Sequence, residues 1–224
     1  MSELVARPTE VAGLAGAFAA VLTYPVVPPG GDVRTAAKAA GEWSSEAEAL
    51  LDAFGALVAT TGLGELQEAY TRTFDLDTLA RSQPTCYPYV GHYLFEESHK
   101  RGAFIVELRR RFRAAGFEPD GGELADHLVV LLSFLAVCDD EELAGELLDD
   151  AILPALARIS ALPGGPRAEG PLEPQTAYRT VLGALELALR AARPHAVVDP
   201  LELESEREWM RDRDSLGIDR ATCG

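Results

Sequence analysis

From Glu123 to Leu135 the chain reads Glu-Leu-Ala-Asp-His-Leu-Val-Val-Leu-Leu-Ser-Phe-Leu, an adjacent acid and imidazole at the head of an almost wholly apolar run. Leu124, Leu128, Leu131, Leu132 and Leu135 recur at the three-and-four spacing of a helical face, while Val129, Val130, Phe134 and Val137 fill the other sides. A helix that is apolar all round is stable only when other elements enclose it, so this segment demands a bundle. Asp120 and Glu123 have the spacing of a capping box, which predicts a helix opening there. Asp126 and His127 would then stand where a buried helix meets water, a position that suits either a polar fastener or a binding site.

The rest of the chain shows the same periodicity and lacks stretches rich in Val, Ile, Thr and aromatics, so the predicted fold is all-α. Its 224 residues, 47% of them hydrophobic, suffice for one substantial core. The organisation predicted is a helical domain over 1–195 and a charged, loosely attached tail over 196–224, with a short helix near Trp209. Thr9 and Glu10 open a first helix that stops before Pro25, and 25–32 is a loop followed by a short helix after Asp32. Ser44 and Ser45 can cap a helix running to about Thr61, and Gly62 and Gly64 punctuate before Leu66 to Asp77. After an irregular stretch from Arg81 to Pro88, Glu97 to Gly116 reads as an amphipathic helix. Phe104, Ile105, Leu108 and Phe112 lie on one side, Arg109, Arg110, Arg111 and Arg113 face water, and Gly116 forms the C-cap. Asp139 to Glu142 supply acids to the start of a helix with Leu143, Leu147, Leu148, Ile152 and Leu156 on its apolar face and a kink at Pro154. Leu162 to Pro174 is a long mobile loop, and a last helix spans Glu173 to Ala192.

Charge narrows the choice of partner. With 36 acids against 20 bases the formal charge of −16 repels a phosphate backbone, and no basic stripe offsets it; nucleic acid is excluded and a basic peptide is favoured. Apolar runs are broken well before the roughly 20 residues that cross a bilayer, and a cleavable leader is not evident, so no membrane insertion or export is expected. Cys86, Cys138 and Cys223 lie far apart without paired spacing, which fits a reducing cytoplasm. A phosphate loop, a nucleophile elbow and a His-Glu-x-x-His motif are all missing, and Gly62-Leu63-Gly64 lacks the third glycine and the preceding strand of a dinucleotide site. A metal would have to gather His92, His99, His127, His195 and scattered acids. The acid clusters 139–142 and 202–208 could attract a cation or simply form solvated faces.

Four segments carry a resemblance. Leu66 to Leu76 (Leu-Gln-Glu-Ala-Tyr-Thr-Arg-Thr-Phe-Asp-Leu), Tyr89 to Phe95 (Tyr-Val-Gly-His-Tyr-Leu-Phe), Lys100-Arg101-Gly102 and Glu123 to Leu135 occur in the order found in the NarJ-type assembly chaperones of respiratory nitrate reductases. These belong with the TorD and DmsD chaperones of molybdoenzymes, and the similarity spans roughly residues 50 to 160. The chain departs from the family pattern at Ala125 and Val129, where prolines commonly stand. The resemblance implies a single-domain helical bundle of the TorD/NarJ-like type, without catalysis or a resident cofactor. It would bind the N-terminal leader of a molybdoenzyme catalytic subunit in the cytoplasm and assist molybdenum cofactor insertion before membrane attachment or export. Partners would be that leader and the molybdopterin cofactor or its delivery proteins. Tyr70, Phe74, Tyr89, His92, Leu94 and Phe134 would line the peptide groove, Asp126 and His127 would be polar anchors, and Arg101, Gly102 and Glu123 would support them. Two other classes stay open: an all-α metal- or nucleotide-dependent hydrolase using His92, Asp126 and His127, and a helical adaptor presenting the Leu66 to Leu76 face.

Overall fold

Helix follows helix from the first described residue. The computed structural model describes residues 8–74, 86–95, 98–119, 122–162 and 172–194, and among them no strand forms. A 3-10 turn, Pro8–Val11, leads into α1 (Ala12–Val21); then come α2 (Gly30–Gly41), α3 (Ser45–Thr60), α4 (Leu63–Phe74) and the short α5 (Val90–Leu94). The series continues with α6 (Ser98–Ala114), α7 (Leu128–Leu135), α8 (Glu141–Glu146), α9 (Leu153–Ala161) and α10 (Ala177–Ala192).

Two local signals act as the sequence predicts. The Ser44 side chain accepts the Ala47 N–H at 3.2 Å and starts α3, and Asp140 takes the Glu142 and Leu143 N–H groups at the head of α8. Gly116 ends α6 with φ +69°, a conformation that costs a residue with a Cβ. Other boundaries move. The loop before α2 ends at Pro29 rather than 32, and Gly64 lies inside α4 rather than breaking the chain before it. At Pro154 the helix changes type: α8 passes into a π-helical turn, Leu147–Ile152, and Pro154 then falls in the first turn of α9. A proline has no N–H to donate and crowds the preceding turn, and a widened turn just ahead of it accommodates both defects. Arg111, expected in water, is instead half-buried between Glu107 and Glu146. Hydrogen bonds from Arg110 and Arg111 hold the Glu107 carboxyl at about 2, well below the ordinary range, so this cluster is charged at all physiological pH.

The core lies where α10 runs between neighbours: it packs on α3, α9 and α4, while α1 packs on both α2 and α7. Leu182, Leu185 and Leu189 are wholly enclosed, as are Leu51 and Phe54 of α3 and Leu131 and Leu132 of α7. Phe112 of α6, Phe117 and Phe134 of α7 form an aromatic triad with ring centroids 4.6 to 5.3 Å apart, and this triad fixes α6 against α7. Arg179 points its guanidinium at the last carbonyls of α9, reaching Ile159 O at 3.3 Å and Leu162 O at 3.1 Å. The loop 163–171, the segment 75–85, the tail from 195 and its expected helix near Trp209 lie outside the described residues.

Candidate functional site

Two helix starts, 38 residues apart in sequence, are sewn together. Val90 N–H donates to Asp126 O and Leu128 N–H to Pro88 O, both at 2.8 Å, so that Tyr89 and His127 pair in an isolated antiparallel bridge. Each is the residue immediately preceding its helix: Tyr89 for α5, His127 for α7. The capping box expected at Asp120 and Glu123 therefore does not start α7. The helix begins at Leu128, and the cap is His127 itself, whose Nδ1 accepts the Val129 N–H at 3.2 Å. The bond needs an unprotonated Nδ1, and burial lowers the His127 pKa against the pull of Glu123 and Asp126.

Asp126, expected where the helix meets water, has no exposed surface at all. Its two oxygens take Arg101 Nε at 2.7 Å and Arg101 Nη2 at 3.3 Å, a two-pronged ion pair from α6. The same guanidinium lies 5.0 Å from the centre of the Tyr89 ring, and that ring meets the His127 ring edge-on at 5.4 Å. Arg101 thus holds Asp126 and Tyr89 together through carboxylate and ring contacts. Glycine is required for this at Gly91, not at Gly102. A Cβ on Gly91 would stand 2.7 Å from Asp126 Oδ2 and 3.0 Å from Arg101 Cγ, whereas one on the exposed Gly102 would meet nothing within 4 Å. The sequence signal for Gly91 is the glycine inside the Val-Gly-His segment, where a helix former would otherwise stand.

Above the buried pair lie the accessible groups. The Tyr89 hydroxyl donates to Glu123 at 3.5 Å, and its phenol is raised by burial and then by Glu123, so it remains a donor. His92 is exposed on α5 and stacks against Tyr87 at 4.1 Å; burial, then the Arg101 charge, lower its pKa. Tyr87, Tyr93 and Cys86, none of them picked out as site residues from the sequence, position this edge. The Tyr87 N–H donates to the Tyr93 hydroxyl at 2.8 Å, and Cys86 N–H donates to Thr73 O at 3.1 Å, which ties the junction to the end of α4. Tyr70 on α4 is partly buried; its hydroxyl donates to Leu22 O at 3.2 Å and its phenol is pushed up to about 12 by burial and then by Glu123. Phe74 packs against it at 4.8 Å, and Leu94 is half-buried at the end of α5. Phe134 stands apart: it is enclosed in the aromatic triad and offers no surface to a ligand.

His92 and His99, which would share a face only on one unbroken helix, sit on different helices because α5 ends at Leu94. Among the described residues no group of three or more His, Cys, Asp or Glu could hold a metal ion, and His195 lies outside them. A cleft of about 560 Å³ borders the junction from the α6 side, lined by Arg109, Arg113, Phe117, Glu123 and Ala125 among others. No described helix is long and apolar enough to cross a membrane.

The described parts of the four segments that carry the resemblance to assembly chaperones thus come together here: α4 through Tyr70, α5 through Tyr89 and Gly91, α6 through Arg101, and the start of α7 through Asp126 and His127. The fold is all-α, as expected of a molybdoenzyme maturation chaperone. The family described as nitrate reductase delta subunit matches residues 38–159, just over half of the chain, and the chain belongs to that family. No curated protein matches it.

Proposed function

We propose that this chaperone binds the N-terminal leader of a molybdoenzyme catalytic subunit at the α4–α5–α7 junction. There it holds the leader while the molybdenum cofactor, or the proteins that deliver it, reach the client, and it delays membrane attachment or export. The observation that carries the reading is the arrangement of accessible aromatic and acidic groups over a rigid, buried ion pair. Tyr89, His92, Leu94, Tyr70 and Glu123 supply contact area and hydrogen bonding. Asp126 and Arg101 hold Tyr89 in place, Phe74 backs Tyr70, and His127 fixes the start of α7. Aromatic side chains bring large contact area at low entropic cost, and a chain of charge −16 draws a basic leader toward it.

Calorimetric titration with a synthetic leader peptide tests the reading. The expected result is saturable binding that weakens as salt rises, because attraction between exposed charges is screened beyond a Debye length of about 8 Å at physiological ionic strength. Tyr89→Ala should lose about tenfold in affinity, or about 1.4 kcal/mol, at an unchanged melting temperature. Equal affinity for the variant, or no binding of any leader, refutes it.

A further inference from the structure

Next to the junction, on the far side of Tyr70, the loop between α1 and α2 carries Tyr24, Val26 and Val27 at 44, 74 and 63% exposure. Three large apolar side chains within four residues form a ledge, not a scatter of single exposed residues, and such a ledge marks an interaction surface. It is firmly built. Gln67 Nε2 donates to Pro25 O at 2.9 Å, the Tyr70 hydroxyl donates to Leu22 O, and the Tyr24 ring meets Tyr70 edge-on at 5.3 Å.

Behind the ledge lies an unsatisfied donor. Tyr178 of α10 is fully buried, packed against Tyr70 at 5.1 Å and Phe74 at 5.9 Å, and its hydroxyl has no hydrogen-bond partner among the described residues. Burial, then the neighbouring Tyr70 and Tyr24 phenols, raise its pKa, so the hydroxyl keeps its proton. A buried hydroxyl without a partner costs about 1–3 kcal/mol, and each such group in a folded protein calls for a reason.

We infer that the ledge and the aromatic cluster behind it form the apolar end of the peptide site: the Tyr24 side chain turns aside, an apolar residue of the leader packs against Tyr70, Val26 and Val27, and the Tyr178 hydroxyl donates to a peptide carbonyl of the bound segment. The inference rests on the leader-binding reading above and adds a direction to it. The basic part of the leader lies at Glu123 and Tyr89, and the apolar part lies at the α1–α2 loop. The ledge Tyr24, Val26 and Val27 carries no charge, whereas Glu123 stands beside Tyr89 and raises the Tyr70 phenol. An amphipathic segment, basic at one end and apolar at the other, matches this polarity better than an apolar surface of a second copy, which would leave Glu123 unanswered.

The test uses the full-length protein and synthetic peptides with the N-terminal sequences of the molybdoenzyme catalytic subunits made by the same cell. Val26→Asp with Val27→Asp should weaken binding about tenfold or more without flattening its salt dependence, since it buries charge at the apolar end. Tyr178→Phe removes one oxygen and should weaken binding roughly three- to tenfold while leaving the melting temperature equal or higher. Glu123→Gln should weaken binding and flatten its salt dependence. If Glu123→Gln acts so and both ledge and Tyr178 variants bind as the parent does, the inference fails and the leader-binding reading stands. If the parent binds no leader, both fail. A lowered melting temperature for Tyr178→Phe also overturns the inference, because the hydroxyl would then have a structural partner.

Discussion

The α3–α10 core and the α5–α6–α7 junction are built on opposite plans. Along α10, Val181, Leu182, Leu185 and Leu189 are enclosed by other apolar side chains, and stability there is spread over many weak contacts. At the junction a few polar contacts between residues far apart in sequence do the work: Arg101 to Asp126, the Tyr89–His127 bridge, and Gly91 fitted against them. In the core a truncation costs contacts in proportion to the volume lost, whereas at the junction removing Arg101 leaves the buried Asp126 carboxylate without its partner. A surface meant to hold a peptide gains from this second plan, since Tyr89 and Glu123 are then held in place before the ligand arrives.

The sharpest break of this contrast is Arg101→Ala. It would leave the fully buried Asp126 carboxylate unpaired, and the expected loss is about 3–5 kcal/mol in urea unfolding. A loss below about 1 kcal/mol would mean that the pair is dispensable and that the junction behaves like ordinary surface. Gly91→Ala comes next. Its new Cβ would press on Asp126 and Arg101, with an expected cost of about 1–3 kcal/mol, whereas Gly102→Ala one helix away should be neutral or slightly stabilising. Equal effects at the two glycines would remove the case for close approach at Gly91.

The smallest effect is a pH dependence. The folded state lowers the His127 and His92 pKa values, so the unfolded chain binds more protons as pH falls through the ordinary histidine range near 6.5. Their contribution to stability is therefore complete above that value and declines on acidification, levelling off below the folded-state values. His127→Asn keeps an N-cap acceptor but does not titrate, and chemical denaturation at a series of pH values should show a flatter acid limb for it. An unchanged limb would assign the dependence to other groups.

These same contacts divide what the sequence reveals from what it hides. Helix α3 is legible because its signals are local: Ser44 caps it and Leu50, Leu51, Phe54 and Val58 repeat on one face. The buried face of α6 is legible for the same reason, through Phe104, Leu108 and Phe112. The start of α7 is misplaced because two cap signals compete, and the acidic box at 120 and 123 looks stronger than a histidine cap at 127. Burial of Asp126 is hidden because its partner lies 25 positions away with no periodicity to announce it. Resemblance picked out most of the residues that meet at the junction, but it could not say which face the solvent, and it included Phe134, which the fold places in the core. The ledge at Tyr24 to Val27 reads in sequence as a proline-rich loop, and only the surrounding helices make it a surface.

Hydrogen exchange of backbone amides, with and without a leader peptide, tests the central claim most directly. Leader binding at the junction predicts slowed exchange across 87–95, 122–129 and the exposed side of α4, with the α2–α3 pair unchanged. Slowing confined to α2 and α3, or to the face where α6 meets α8, with the junction amides unaltered, would contradict it.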